Sequence, residues 1–178
     1  AYFHTRIRDL IVRQAAAGGI YAKVNGGDGY VHGVESELRV SLTPHMSARA
    51  GFTWMGGYTD YDAADGARVT EPVRTMPLTA YAALRWESAG GRVWAELAGR
   101  AAGCEDRLTA ADRTDTQRIP PGGTPGYAVV DVRCGWHLRE GLSLVAGVEN
   151  VADEDYRIHG SGSNEPGRNL IVSAEYRF

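Results

Sequence analysis

A chain of 178 residues with 43 % hydrophobic content is long enough for one folded unit, and its net charge of -3 gives no electrostatic ground for nucleic-acid binding. It has no run of about 18 apolar residues, which excludes a helical membrane span. A mean hydropathy of -0.31 still suits membrane strands, which are apolar on one face only.

The first predicted strand runs from Tyr2 to Arg13, with Phe3, Thr5, Ile7 and Ile11 on one face. Asp9 interrupts that face, so either the register shifts there or the aspartate lies near a rim. Gln14 to Gly29 is rich in Ala and Gly and ends in Asn25-Gly26-Gly27-Asp28-Gly29, which reads as a turn. A second strand, Tyr30 to Leu42, alternates Val34, Leu38, Val40 and Leu42 with Glu35, Glu37, Arg39 and Ser41. The turn at Thr43-Pro44-His45-Met46 uses the fixed φ of proline. The third strand, Ser47 to Tyr58, sets Ala48, Ala50, Phe52 and Trp54 against Arg49, Gly51 and Thr53, and a longer polar connection spans Thr59 to Arg74. The fourth strand, Met76 to Glu87, the turn Ser88-Ala89-Gly90-Gly91 and the fifth strand, Arg92 to Arg100, lead into the longest connection, Ala101 to Pro125. A sixth strand, Gly126 to Leu138, places Val130, Cys134 and Trp136 opposite Val129, Asp131 and Arg133; after Arg139-Glu140-Gly141 a seventh, Leu142 to Asn150, precedes the last loop.

The final strand ends the chain on an aromatic ring. Leu170, Val172, Ala174, Tyr176 and Phe178 alternate with Asn169, Ile171, Ser173, Glu175 and Arg177, giving ten residues with one apolar and one largely polar face. Connections alternate long and short along eight strands, the asymmetry of an outer-membrane barrel with short periplasmic turns and long extracellular loops. Charges recur on the polar face of almost every strand, which suits a wet interior or one packed against a polar plug. Helical periodicity is nowhere sustained.

Few residue patterns suggest chemistry. The five histidines, His4, His32, His45, His137 and His159, lack ligand spacing, so no metal site is expected. Asp60, Asp62, Asp65 and Gly66 miss the calcium-loop pattern by one position, without a closing Glu, and read as a solvated loop. Gly27-x-Gly29 continues into His32 with no helix after it, so nucleotide binding is not expected; His159-Gly160-Ser161-Gly162-Ser163 lacks the hydrolase frame, and no catalytic residue is assigned. Cys104 and Cys134 read as two free thiols.

The segment NVADEDYRIHGSGSNEPGRNLIVSAEYRF resembles the C-terminal end of a TonB-dependent outer-membrane receptor. The matching residues are Asn150, Asp153 and Tyr156, then Pro166, Gly167, Arg168 and the terminal Phe178; Val151 and Ala152 depart from the usual Leu-Phe. Phe3 with Ile7-Arg8-Asp9-Leu10-Ile11, and Gly33-Val34-Glu35-Ser36-Glu37, resemble strands of the same family. The resemblance implies an all-β, antiparallel transmembrane β-barrel segment of about eight strands, residues 1–178 forming the C-terminal part of a 22-stranded barrel whose earlier strands and N-terminal plug precede Ala1. The absence of a start methionine and of a signal peptide fits such a piece.

That resemblance carries further expectations. The cell outer membrane of a Gram-negative bacterium is the expected location, and the function is capture and TonB-energised uptake of a scarce nutrient such as a ferric siderophore, haem or a cobalamin-like compound, without catalysis or a cofactor. Partners would be outer-membrane lipid, the TonB complex through the plug, the barrel-assembly machinery, for which Leu170, Val172, Ala174, Tyr176 and Phe178 form the terminal strand, and the small ligand. In the last loop His159, Ser161, Asn164 and Arg168 are candidates to touch that ligand, Arg168 being equally suited to lipid headgroups. A complete eight-stranded barrel acting as adhesin or anchor is the alternative; an outer-membrane enzyme and a soluble sandwich rank below it. The register further predicts that Val130→Arg costs about 2 to 4 kcal/mol in lipid, and Val129→Arg, on the polar face, much less.

Overall fold

The computed structural model describes residues 1–15, 21–63 and 65–178. One antiparallel sheet contains β1 (Tyr2–Ala15), β2 (Tyr21–Thr43), β3 (Met46–Asp62), β4 (Arg68–Pro72), β5 (Thr79–Glu87), β6 (Val93–Ala102), β7 (Tyr127–Arg139), β8 (Leu142–Glu149) and β9 (Asn169–Tyr176), with the short helix α1 (Ala110–Thr114) between β6 and β7. Each strand lies beside its sequence neighbour, except that β4 and β5 both pair with β3, β4 at Tyr58–Asp62 and β5 at Met46–Thr53. They act as one interrupted strand, so the sheet is eight strands across, the number the alternation predicts. It is open, with β1 and β9 at its edges.

Register turns the alternating sequence into two continuous faces. Val40, Ala48, Leu84, Leu97, Val132, Val148 and Leu170 are paired in succession across β2, β3, β5, β6, β7, β8 and β9 and form one unbroken apolar row. Many residues of this face are widely exposed, Leu97 at 52 % and Leu170 at 72 % among them, as expected of a surface that lipid covers. Trp86, Trp136 and Tyr176 stand on it beside the short turns, and Tyr2, Trp54 and Tyr58 stand on it toward the long connections. Along β3 the step from the Trp86 row at Met46 is about 26 Å to Trp54 and about 40 Å to Tyr58. Tilted by about 40°, those lengths become about 20 and 30 Å, which brackets the apolar band of about 25 Å between the aromatic girdles of a membrane barrel.

Several boundaries differ from the sequence reading. Asn25–Gly29 is not a turn: β2 runs through it, paired to β1 and β3 on either side. The glycines are there because the strands crowd, a Cβ on Gly29 falling 2.9 Å from the Tyr58 carbonyl oxygen. Residues 16–20, inside the predicted Ala- and Gly-rich connection, lie outside the described residues. The polar connection after Tyr58 is largely a hairpin, since β3 continues to Asp62 and returns as β4. Phe3, Thr5 and Ile7 belong to the polar face, because they pair with Gly33, Val31 and Gly29, whereas Tyr2, His4 and Arg6 continue the apolar face of β2. At Asp9 the first alternative holds: the pairing slips between Ile7 and Leu10 and Asp9 takes a φ of 54°. β9 has eight residues rather than ten and leaves Phe178 beyond its end, its ring 6.3 Å from that of Tyr176.

Candidate functional site: the polar face and its loop latch

The polar face is a lattice of charge pairs. Glu37 and Arg39 (2.6 Å), Arg85 and Glu87 (2.8 Å), and Glu175 and Arg177 (2.7 Å) pair at two-residue spacing along single strands. Arg49 reaches Glu96 across β5 at 3.4 Å, and Arg133 joins Glu149 at 3.0 Å with Asp131 at 4.0 Å. Aromatic rings fill the remaining space by lying over glycines on adjacent strands. A Cβ on Gly51 would meet the Tyr81 ring at 2.7 Å, and one on Gly135 the Trp94 ring at 2.3 Å. Arg85 in turn covers Trp94 with its guanidinium 4.1 Å from the ring centre, and the Tyr81 hydroxyl donates to Glu37 at 3.2 Å. The two-residue acid-and-base spacing is visible in the sequence, but only the register shows that it belongs to one wall.

The Asn-x-x-Asp-x-x-Tyr and Pro-Gly-Arg motifs build a latch after β8. Asn150, 1 % exposed and left-handed at φ 49°, donates its backbone N–H to the Asp131 carboxylate at 2.8 Å; its side chain accepts from Glu154 N–H (2.9 Å) and donates to the Glu154 (2.8 Å) and Pro166 (3.3 Å) carbonyls. Asp153, also left-handed, accepts the Arg168 N–H at 2.7 Å, and a Cβ on Gly167 would strike its carboxylate at 2.6 Å. The Arg168 side chain closes the loop by donating to the Val151 carbonyl at 3.0 Å. Tyr156 packs on Tyr127 with ring centres 4.4 Å apart and accepts from Arg100 at 3.1 Å; burial pushes its hydroxyl pKa up. The loop therefore folds back onto the polar face of β6 and β7. Val129 is 1 % exposed in consequence, which corrects the expectation that a charge there is cheap; Val130, 41 % exposed on the apolar face, keeps its assignment.

The other long connections form a second linked unit. Thr109 and Asp112 make a capping box at α1, and the Asp112 carboxylate also pairs with Arg74. Burial alone would raise the Asp112 carboxyl pKa, but the Thr109 backbone and side-chain hydrogen bonds and the Arg74 guanidinium hold it below the usual carboxylate range. Glu71 on β4 accepts from Tyr61 at 3.0 Å and from the Ala110 N–H at 2.9 Å, tying α1 to the β3–β4 hairpin. Asp60 accepts from Thr70, Asp62 pairs with Arg68 and Asp65 accepts from the Ala67 N–H, so these aspartates shape that hairpin.

The four predicted ligand residues lie along one loop, each engaged locally. His159 Nδ1 sits 2.9 Å from the Thr124 hydroxyl, which joins the last loop to the 103–126 connection. Ser161 donates to the Ser163 carbonyl, Asn164 bridges Arg157 (2.9 Å) and Asp155 (2.7 Å), and Arg168 serves the latch. Leu170, Val172, Ala174 and Tyr176 share the apolar face of β9. No cluster of three or more metal-ligating side chains occurs among the described residues, and Cys104 and Cys134 are free.

An open antiparallel sheet with a lipid-suited apolar face between two aromatic girdles, and charge pairs on the other face, defines a segment of a large transmembrane β-barrel. Residues 1–151 match the family model for the TonB dependent receptor-like β-barrel, and the chain belongs to that family. Among solved structures it is similar to the FrpB iron transporter from Neisseria meningitidis (20 % identity, TM-score 0.79), covering 99 % of this chain and 28 % of that one. It is also similar to the copper transporter OprC (19 %, TM-score 0.76; 99 % and 28 %) and to the pyoverdine receptor FpvA from Pseudomonas aeruginosa PAO1 (19 %, TM-score 0.70; 99 % and 26 %). The chain thus spans between a quarter and a third of the length of these relatives. A search of curated protein sequences finds no match.

Proposed function

We propose that this chain is the C-terminal part of the barrel of an outer-membrane receptor that binds a scarce nutrient at the cell surface and imports it with energy delivered through TonB. The observation that carries this reading is the two-faced sheet: an apolar band of membrane height on one side and a charge-paired wall on the other, in a chain of this receptor family. Structural relatives named as iron, copper and pyoverdine proteins support a metal or metal-chelate cargo. In the assembled receptor the apolar face contacts lipid, the polar face surrounds the plug, and the linked connections 103–126 and 150–168 lie outside the cell. β9 would serve as the closing strand that the assembly machinery receives. His159, Ser161 and Asn164 remain candidates in that loop to meet a ligand, whereas Arg168 acts through the latch.

Deletion of the gene in its own host, with uptake of labelled ferric siderophores, haem, cobalamin and copper measured in cells with and without TonB, tests the proposal. Loss of uptake of one of these compounds, equal in the deletion and in the TonB-deficient strain, is expected. Unchanged TonB-dependent uptake across the whole panel would sink it. The complete eight-stranded barrel is not favoured, because β1 and β9 are separate edges of an open sheet.

A further inference from the structure

Toward the short turns, the polar face holds a groove in which positive and negative groups are unevenly shared. Ser41, Ser47, Arg85, Glu96 and Arg133 are paired in succession across β2, β3, β5, β6 and β7. In the next row of that face, Arg39 stands directly opposite Arg49. The lining of the groove includes Arg39, Arg49, Arg85, Arg133, Trp94 and Glu96. Four guanidinium groups thus share one carboxylate there, because Glu37, Glu87, Asp131 and Glu149, which pair with three of these arginines, stand outside the groove. Like charges opposite each other on neighbouring strands repel, and an anion between Arg39 and Arg49 would relieve that repulsion. Donors to hold one are present. Arg85 reaches its acid through Nε, Arg39 through Nε and Nη2, and Arg49 and Arg133 through Nη2, which leaves Nη1 of all four without an acceptor among the described residues. Trp94, its ring centre 4.1 Å from the Arg85 guanidinium, adds a flat apolar wall. Arg85 precedes Trp86 of the lower aromatic girdle, so the groove lies at the opposite end of the sheet from the upper girdle of Tyr2, Trp54 and Tyr58.

On the receptor reading given above, on which this inference rests, that end is the periplasmic exit of the lumen. We infer that the groove is a transit site for the carboxylate groups of an anionic metal chelate. A planar carboxylate fits the guanidinium fork in bidentate fashion, and the free Nη1 groups supply such contacts without opening the existing pairs. Each arginine keeps an acid of its own at 2.6 to 3.4 Å, so the groove needs no permanent counter-charge. Paired charges also screen one another at a distance, so the groove holds an anion only in contact and releases it readily. The inference narrows the cargo to a chelate that carries free carboxylates.

The test gives host cells expressing the full-length receptor labelled ferric citrate and haem, which carry carboxylates, and cobalamin and copper, which carry no free one. Wild type is expected to import one of the first two in a TonB-dependent manner. Arg39→Gln with Arg49→Gln should bind that compound at the cell surface as wild type does and import it about ten-fold more slowly. Arg39→Lys with Arg49→Lys, which keeps the charge and loses the fork, should recover about half of the rate. Independently of any variant, the purified full-length receptor should retain labelled citrate in equilibrium dialysis at low salt, and trimethyl citrate, its neutral ester, should not displace it. Import by the glutamine variant at the wild-type rate, cobalamin or copper as the cargo, or no retention of citrate overturns the inference while leaving the receptor reading intact. Entry of vancomycin into resting cells of the glutamine variant would assign the groove to a carboxylate of the plug, which also overturns it. Absence of TonB-dependent uptake of all four compounds by wild type overturns the receptor reading and this inference with it.

Discussion

The two sides of the sheet reach the same rim by different means. On the β1–β3 side the strands themselves are long, 23 residues in β2 and 17 in β3, and they carry their pairing past the upper girdle. On the β8–β9 side the strands are short, eight residues each, and the chain between them folds inward as a latch held by Asn150, Asp153, Tyr156 and Arg168. Height built from ladder hydrogen bonds is distributed over many equivalent contacts, so no single side chain governs it. Height built from a folded loop is concentrated in a few buried polar groups. The same wall is therefore robust at one end and dependent on single residues at the other.

Substitutions can sharpen or break this contrast. The largest effect belongs to the apolar band, which both sides share: Leu38→Arg on β2 and Val172→Arg on β9 should each cost about 2 to 4 kcal/mol in a folding assay of the full-length receptor in lipid, whereas Ser173→Arg, facing the polar side, should cost far less. Equal penalties at Val172 and Ser173 would refute the face assignment. Next comes the latch, where Asn150→Ala removes the side-chain bonds to Glu154 and Pro166 and with them the local polar contacts that let asparagine, unlike alanine, tolerate left-handed backbone, about 3 kcal/mol in all. Asn150→Gly relieves the backbone penalty only and should recover about 1 kcal/mol of it. Protease nicking confined to 150–168 in Asn150→Ala, with β2 and β3 still protected, would support the contrast; collapse of the whole sheet would contradict it.

The smallest effect is a pH dependence in the 103–126 connection. The folded-state pKa of Asp112 is depressed, so its contribution to stability is present above the unfolded carboxylate pKa and is lost as pH falls through the lower folded value. Amide protection in 109–115, taken relative to the intrinsic exchange rate at each pH, should fall on acidification through the lowered Asp112 pKa, and Arg74→Gln should move that transition to higher pH. Protection there that stays constant from neutrality to strong acid would discount the ion pair with Arg74.

Much of the sheet was legible because its apolar face is written in a period of two. From Met76 onward each predicted strand is present with ends shifted by a few residues, and the side assigned to Leu84, Leu97, Val132 and Val172 holds. The reading failed where one residue type serves two physical purposes. Glycines at 25–29 look like a turn, yet they answer to backbones crowding in mid-strand. Phe3 looks like a lipid-facing ring, yet it covers Gly33 on the polar side. Val129 alternates as a polar-face residue should, but a loop twenty residues later buries it. The Thr109-x-x-Asp112 capping box was present in the sequence, too short for any periodic signal. The motif residues Asn150, Asp153 and Tyr156 were visible through family resemblance, but nothing in their spacing revealed that two of them adopt left-handed backbone to turn the chain inward.

The pairing of acid and base two residues apart on the polar face has a consequence for motion. A charge with its counter-charge a few ångströms away presents a dipole to anything beyond it, and the field of a dipole fades much faster with distance than that of a lone ion. A body filling the lumen against these strands would therefore feel shallow, closely spaced ripples of potential rather than deep wells. It could turn or withdraw in small steps without ever having to tear one strong ion pair open.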